Sequence, residues 1–146
     1  MMSAKELDRA VTQQLADHDL RYTAARRAIV SGLRNSVGPV TLPELLETAT
    51  DLAQSSAYRN LSLLEEAGIV RRLAHGGEYA RYELSEALTE HHHHLICEDC
   101  GSVIDVVFDP SVEQALDAAL RSLETTEGFV AAHHTLDVYG RCSDCA

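Results

Sequence analysis

The chain has 146 residues, with 12 Lys and Arg against 23 Asp and Glu and a formal charge of -11, which is enough for one ordinary domain or two small ones sharing a modest core. No run approaches the roughly 20 apolar residues that span a bilayer. The opening "MMSAKELDRA" carries charges where a signal peptide has its apolar region, so a cytoplasmic protein is expected.

The net charge argues against nucleic acid until its distribution is read, because DNA binding depends on Lys and Arg neutralising phosphates. Residues 1–86 hold 10 basic and 12 acidic side chains, net -2, and residues 87–146 hold 2 and 11, net -9. The first half is free to present a local basic face, and the acidic half has another task.

Ser3 followed by Glu6 is a capping box and predicts a first helix to about Ala16. Thr23 predicts the cap of a second helix, "AARRAIVSGL", in which Ala25, Ile29 and Leu33 recur every four residues. Asn35 to Pro39 reads as a loop. Thr41 and Glu44 then form another capping box for "LPELLETA", with Pro43 in the first turn, where its missing N–H is no loss.

In "QSSAYRNLSLLEEAGIV", Ala57, Leu61 and Leu64 form an apolar stripe. Ser55 or Ser56 is the expected cap, and Gly68 the left-handed stop. The opposite face carries Tyr58, Arg59 and Ser62. Next, "IVRRLAHGGEYARYEL" alternates around Gly76-Gly77, which predicts a β-hairpin with His75 as a turn residue. Three helices, a helix with a polar outer face and a hairpin make a winged helix-turn-helix, a common DNA reader.

Ser85 to Glu90 carries no strong periodicity and is read as a hinge. Beyond it, "HHHHLIC" and "SVIDVVF" read as strands. Pro110 after Asp109 opens a helix to about Glu127 that Gly128 ends, and "HTLDVYG" gives one more strand. The fold class is therefore α+β, with boundaries at 1–84 for the DNA-binding part, 85–90 for the hinge and 91–146 for a small α/β part.

Cys97 and Cys100 are separated by two residues, as are Cys142 and Cys145. Each pair can grip one ion, and four thiolates suit tetrahedral zinc. Such an ion pins the chain's end to the strand after the hinge and substitutes for core that a unit of about 60 residues lacks. An iron–sulfur centre and a redox dithiol are the alternative readings.

On a strand, His91 and His93 point one way and His92 and His94 the other. One strand thus offers two ligands to each of two metal sites, against the plainer reading of a solvated polyhistidine edge. Candidates for the remaining ligands are Glu83, Asp105, Glu113, and His133 or His134.

From "LRYTAARRAIV" through "SSAYRNLSLLEEAGIVRRL" and "HHHHLICEDCG" to "YGRCSDC", the chain resembles the ferric uptake regulator family of bacterial metalloregulators. The resemblance implies a homodimer with an N-terminal winged helix, a C-terminal dimerisation domain, and metal-dependent repression of genes for metal uptake or oxidative defence. It places a structural zinc on Cys97, Cys100, Cys142 and Cys145. It puts a regulatory site on Glu83, His92, His94 and Asp105, where Asp105 matches a carboxylate of peroxide-sensing members. A second C-terminal site falls on His91, His93, Glu113 and His134.

Tyr58 and Arg59 match the family's DNA-meeting pair, with Ser56 and Arg26 beside them. Arg27, Arg71 and Arg72 are further backbone-contact candidates or plain solvated surface. The chain departs from the family by having Pro39 where many members place a histidine ligand and by a longer stretch from Glu83 to His92, and it lacks the cysteine that the zinc-sensing branch commonly uses near there. Imidazole-rich ligand sets suit zinc, ferrous iron or nickel, and the carboxylates tilt toward iron or manganese, so the regulatory cation stays open among the four.

The expected function is a metal-dependent repressor of a palindromic operator. A peroxide-sensing repressor using iron is the alternative within the family, and a metal-buffering or redox protein the alternative outside it. An enzyme is not expected. H-E-x-x-H is absent, and four thiolates leave no open coordination position for water. Neither a small-molecule substrate nor a membrane is expected as a partner.

Overall fold

The structure, a computed structural model, describes residues 2–73 and 79–146. The helices begin where the caps predict. Helix α1 spans Ala4–Ala16 with both bonds of the Ser3–Glu6 capping box present, and α2 spans Ala24–Arg34 with Thr23 as cap. Helix α3, Leu42–Thr48, starts at the Thr41–Glu44 box.

Helix α4 spans Gln54–Glu66, and here the sequence expectation is corrected. Its cap position is Ala53, with no side-chain capping bond, and Ser55 and Ser56 lie inside the first turn. The helix starts two to three residues earlier than a cap at Ser55 or Ser56 permits. Gly68 ends the segment in the left-handed conformation, φ +75.

Strand β2, Val70–Leu73, pairs antiparallel with β3, Arg81–Leu84, placing Arg71 opposite Glu83. The expected turn at His75, Gly76 and Gly77 falls on residues 74–78, which lie outside the described residues. A short strand β1, Val40–Thr41, which the sequence does not announce between the Asn35–Pro39 loop and the Thr41 cap, pairs with β3 to give the order β1-β3-β2. Two residues are too few for an alternation signal.

The apolar faces of these elements converge. Leu7, Val11, Leu15, Ile29, Val30, Leu33, Leu42, Leu45, Ala57, Leu61, Leu64 and Ile69 are buried in one cluster with Tyr82 and Leu84. Leu88 joins it from a 3-10 turn, Glu86–Leu88. The segment expected to be a featureless hinge is thus anchored on the N-terminal core, a non-local contact that periodicity does not report.

In the C-terminal lobe, β4 is His93–Cys97, β5 is Val103–Val106, α5 is Pro110–Glu127 and β6 is Asp137–Gly140. The sheet order is β5-β4-β6, with β5 antiparallel and β6 parallel to β4. Strand β4 starts at His93 and not at His91, because β5 ends at Val106 opposite His93 and offers nothing further to pair. Asp109 caps α5, and Gly128 closes it at φ +64. Helix α5 buries none of its residues. Among the described residues, no helix is long and apolar enough to cross a membrane.

Candidate metal centres and nucleic-acid face

Among the described residues, three groups of Cys, His, Asp and Glu bring ligand atoms within 4.8 Å of one another, and they are the three sets named above. The first is formed by the β4–β5 knuckle and the chain's end. Parallel pairing sets Cys97 opposite Gly140, which carries Cys142 and Cys145 to the knuckle. The Cys100 and Cys142 sulfurs are 3.7 Å apart. A tetrahedron with Zn–S bonds of ~2.3 Å has edges of about 3.8 Å, so the spacing fits zinc.

The local polarity favours thiolate. The backbone N–H of Cys142, 3.4 Å from Cys97 Sγ, and that of Cys100 hold the Cys97 thiol down at about 6. Ser102 lowers Cys100, with its hydroxyl 3.2 Å from the sulfur. Cys145 is pushed up because its neighbours are themselves sulfurs competing for negative charge, a conflict that a divalent cation removes.

The second group joins the two lobes. Glu83 comes from β3, His92 from just ahead of β4, His94 from β4, and Asp105 from β5, where it pairs with His94. Glu83 Oε2 lies 3.0 Å from His92 Nε2 and 3.1 Å from His94 Nε2. Asp105 Oδ1 is 3.9 and 3.7 Å from the same nitrogens. Glu83 and His94 are both buried, His92 is half-buried and Asp105 is exposed, so the charged cluster runs from the interior to the surface.

Burial pushes the Glu83 carboxyl up, but hydrogen bonds from His92 and His94 and their charges outweigh it and hold the group at about 2. Glu83 in turn raises His92 to about 9 against the opposing effect of burial. Burial lowers His94, yet Glu83 and Asp137 raise it further. Asp105 is raised, chiefly by burial. Two imidazoles and two carboxylates around one centre supply what a divalent cation requires. A cleft of ≈ 220 Å³ lined by Glu83, His92, Asp105, Leu33 and Leu88 opens beside it.

The third group faces the other way. His93 Nε2 lies 2.6 Å from Glu113 Oε1. His91 Nε2 and His134 Nε2 are 3.4 and 3.5 Å from Glu113 Oε2, both buried and without a hydrogen-bond partner among the described residues. Buried imidazole nitrogens left unbonded and aimed at one carboxylate are what metal ligands look like. A tetrahedral ion with Zn–N bonds of ~2.0–2.1 Å separates its ligands by about 3.3 Å. His133 is exposed and stands outside the group.

Two functional residues escaped the sequence reading. Asp137 Oδ1 is 3.0 Å from His94 Nδ1, which orients the ring so that Nε2 faces Glu83. Glu86 plays the same part for His91, hydrogen-bonded to its Nδ1. The register that sets His94 opposite Asp137 needs a parallel pairing over 43 residues, and nothing local in "HTLDVYG" announces it.

On α4, Tyr58 is 43% exposed and Arg59 is exposed beside it. Arg26 is more occupied than expected. Its Nε donates to Asn60 Oδ1 at 3.0 Å and its Nη1 to the Arg21 carbonyl at 2.6 Å. Asn60, buried on α4, donates to the carbonyl and hydroxyl of Ser56. Arg26 therefore braces α2 against α4 through Asn60, whose amide Ser56 holds from within α4. Arg27 is engaged with Asp8 at 2.8 Å and lies over the Tyr22 ring. Arg71 sits 3.9 Å from Glu83, on the side of the carboxylate away from the imidazoles. Pro39 offers no side-chain ligand, and its carbonyl accepts from Arg81.

The profile of the ferric uptake regulator family matches residues 17–139. The chain belongs to that family. Its members are metal-responsive transcriptional repressors that bind DNA, and mixed helix-and-sheet architecture with a cysteine cluster suited to zinc accords with membership. The Bacillus subtilis peroxide operon regulator is 30% identical over 149 residues, covering 99% of this chain and 97% of that one. The Vibrio cholerae ferric uptake regulator Fur superposes with a TM-score of 0.68 at 30% identity, over 90% of this chain and 98% of that one. The Helicobacter pylori ferric uptake regulator Fur, with three functional metal binding sites, gives a TM-score of 0.76 over 99% of this chain and 94% of that one. At 23% identity it speaks for the fold alone.

Proposed function

We propose that this ferric uptake regulator family protein is a cytoplasmic homodimeric repressor. It binds a palindromic operator when a divalent cation, zinc or ferrous iron before manganese or nickel, is held by Glu83, His92, His94 and Asp105. The carrying observation is that Glu83 belongs to the wing strand of the reading lobe while the other three belong to the other lobe. A cation held by all four has higher affinity for the arrangement that brings both lobes together. That differential affinity shifts the population toward the DNA-competent pose, with a coupling of about 1–3 kcal/mol per site. On this reading, residues 1–84 read DNA, 85–90 connect and 91–146 pair the protomers, with Cys97, Cys100, Cys142 and Cys145 on structural zinc. His91, His93, Glu113 and His134 form a second C-terminal site.

Pairing with a second copy is supported by the outer face of the C-terminal sheet. Ile104, Leu95 and Val138 are in register across its three strands and are 48%, 38% and 43% exposed. An apolar row of this kind, beside a helix that buries nothing, marks an interaction surface. In the dimer, the two α4 helices meet half-sites about one helical turn, roughly 34 Å, apart. Arg59 reaches bases or phosphate and Tyr58 phosphate or a thymine methyl, with Arg26 and Ser56 setting their pose.

Operator binding measured across buffered zinc, iron, manganese and nickel at fixed salt tests the reading. Retention of a palindromic duplex only with metal is expected, and no retention with any of the four overturns it. A peroxide-sensing repressor using iron is the second reading, favoured by the similarity to the Bacillus subtilis peroxide operon regulator and by Asp105 in the ligand set. It expects a histidine ligand that gains oxygen when the iron-loaded protein meets peroxide. An unchanged mass excludes it.

A further inference from the structure

The two lobes also meet at a seam that uses no imidazole. Arg81 stands at the base of the wing, where β3 pairs with β1 opposite Thr41, and its side chain is only 18% exposed. Its Nε donates to the Gly101 carbonyl at 3.1 Å, and Gly101 closes the Cys97–Cys100 knuckle of the other lobe. Its Nη1 donates to the Pro39 carbonyl at 3.2 Å and pairs with Glu44 Oε2 at 3.2 Å. The same Glu44 oxygen accepts the Thr41 N–H at 2.8 Å, completing the cap of α3. One planar guanidinium therefore ties the cysteine knuckle to the start of the helix-turn-helix.

Two further features fit that role. Gly101 has φ +74, a conformation that L side chains rarely adopt, so the knuckle presents its carbonyl to Arg81 at no steric cost. The loop ahead of β1 lies against β5. A Cβ added at Gly38 would stand 3.0 Å from the Val103 carbonyl oxygen and 3.7 Å from the backbone nitrogen and Oδ1 of Asp105. The glycine is what lets the two backbones approach this closely.

We propose that Arg81, with the Gly38–Pro39 loop, is a latch between the lobes. It sets the orientation of the reading head relative to the cysteine knuckle and acts as a positioning residue for DNA binding without ligating the regulatory cation. A fork with several donors in fixed geometry suits this, because it holds direction as well as distance. Loss of the latch leaves each lobe intact and widens the range of orientations that the bound cation must narrow.

The inference rests on the repressor reading only for its effect on DNA. The test therefore pairs solution scattering with operator binding on the zinc-loaded, full-length protein. Arg81→Gln is expected to keep the wild-type zinc content of the cysteine cluster and the wild-type helical signal. It should raise the radius of gyration and lower affinity for a palindromic duplex, selected in vitro against the wild type, about tenfold, inside the range typical of coupling between sites.

Arg81→Lys, which keeps the charge and loses the fork, should recover part of that loss. Gly38→Ala, which removes no charge, should move both readouts in the same direction by less. Scattering and affinity identical to wild type in both Arg81→Gln and Gly38→Ala overturn the latch. So does a loss of affinity that tracks loss of zinc. If the wild type retains no duplex in any metal, the repressor reading fails, and the scattering comparison still decides the latch.

Discussion

The two lobes reach stability by different routes. The N-terminal lobe surrounds a dry cluster in which Val11, Leu15, Ile29, Leu61, Leu64 and Ile69 lose nearly all contact with water. Among the described residues of the C-terminal lobe, the buried side chains are Ile96, Cys97, Val103, His93 and His94, so ligands make up much of its interior. Hydrocarbon gains free energy from burial under all ordinary conditions. Buried imidazoles and thiols instead need partners or an ion. The N-terminal lobe is therefore held together by hydrocarbon, whereas the interior of the acidic lobe is built of groups that need partners.

The contrast is broken most severely at the cysteines. Cys142→Ser is expected to unfold the C-terminal lobe and abolish dimerisation while the N-terminal helices persist. Structural zinc is worth an apparent ~10–16 kcal/mol, more than so small a core supplies. Hydrogen exchange resolved by lobe checks this, and uniform protection throughout the chain would refute it. Leu61→Ala should do the converse. It should cost the N-terminal lobe about 2–5 kcal/mol through the cavity left between α4 and its neighbours, with zinc content unchanged, as read by denaturant titration and metal analysis.

Smaller effects sharpen the division. His94→Ala should remove the metal-dependent gain in operator affinity, about 1–3 kcal/mol, with the helical circular dichroism signal retained. An undiminished metal response in that variant would detach the cluster from regulation. Thr41→Ala removes the cap of α3 and should lower N-terminal stability by about 1 kcal/mol without changing the occupancy of any of the three metal sites, which thermal unfolding at fixed zinc and metal analysis measure.

Much of this was legible in the chain because its causes are short-range. Ser3, Thr23 and Thr41 announce helix starts since a side-chain oxygen and the backbone N–H three residues on satisfy each other. The four histidines divide into two faces because extended backbone alternates, and the division survives although β4 begins at His93. The rule failed at α4, where no side chain caps the helix and the serines lie within it.

Composition and spacing by themselves determined the winged-helix order, the two cysteine pairs and the odd and even histidines, because each of these follows from neighbours within a few residues. The tertiary structure alone decided which distant carboxylate meets which ring. Parallel pairing of β6 with β4 delivers Asp137 to His94, the 3-10 turn brings Glu86 to His91, and the β3 register aims Arg81 at the knuckle. Those meetings join residues whose separation along the chain carries no periodic signal. They arise only when burying the apolar faces and satisfying the buried charges select one packing of the strands.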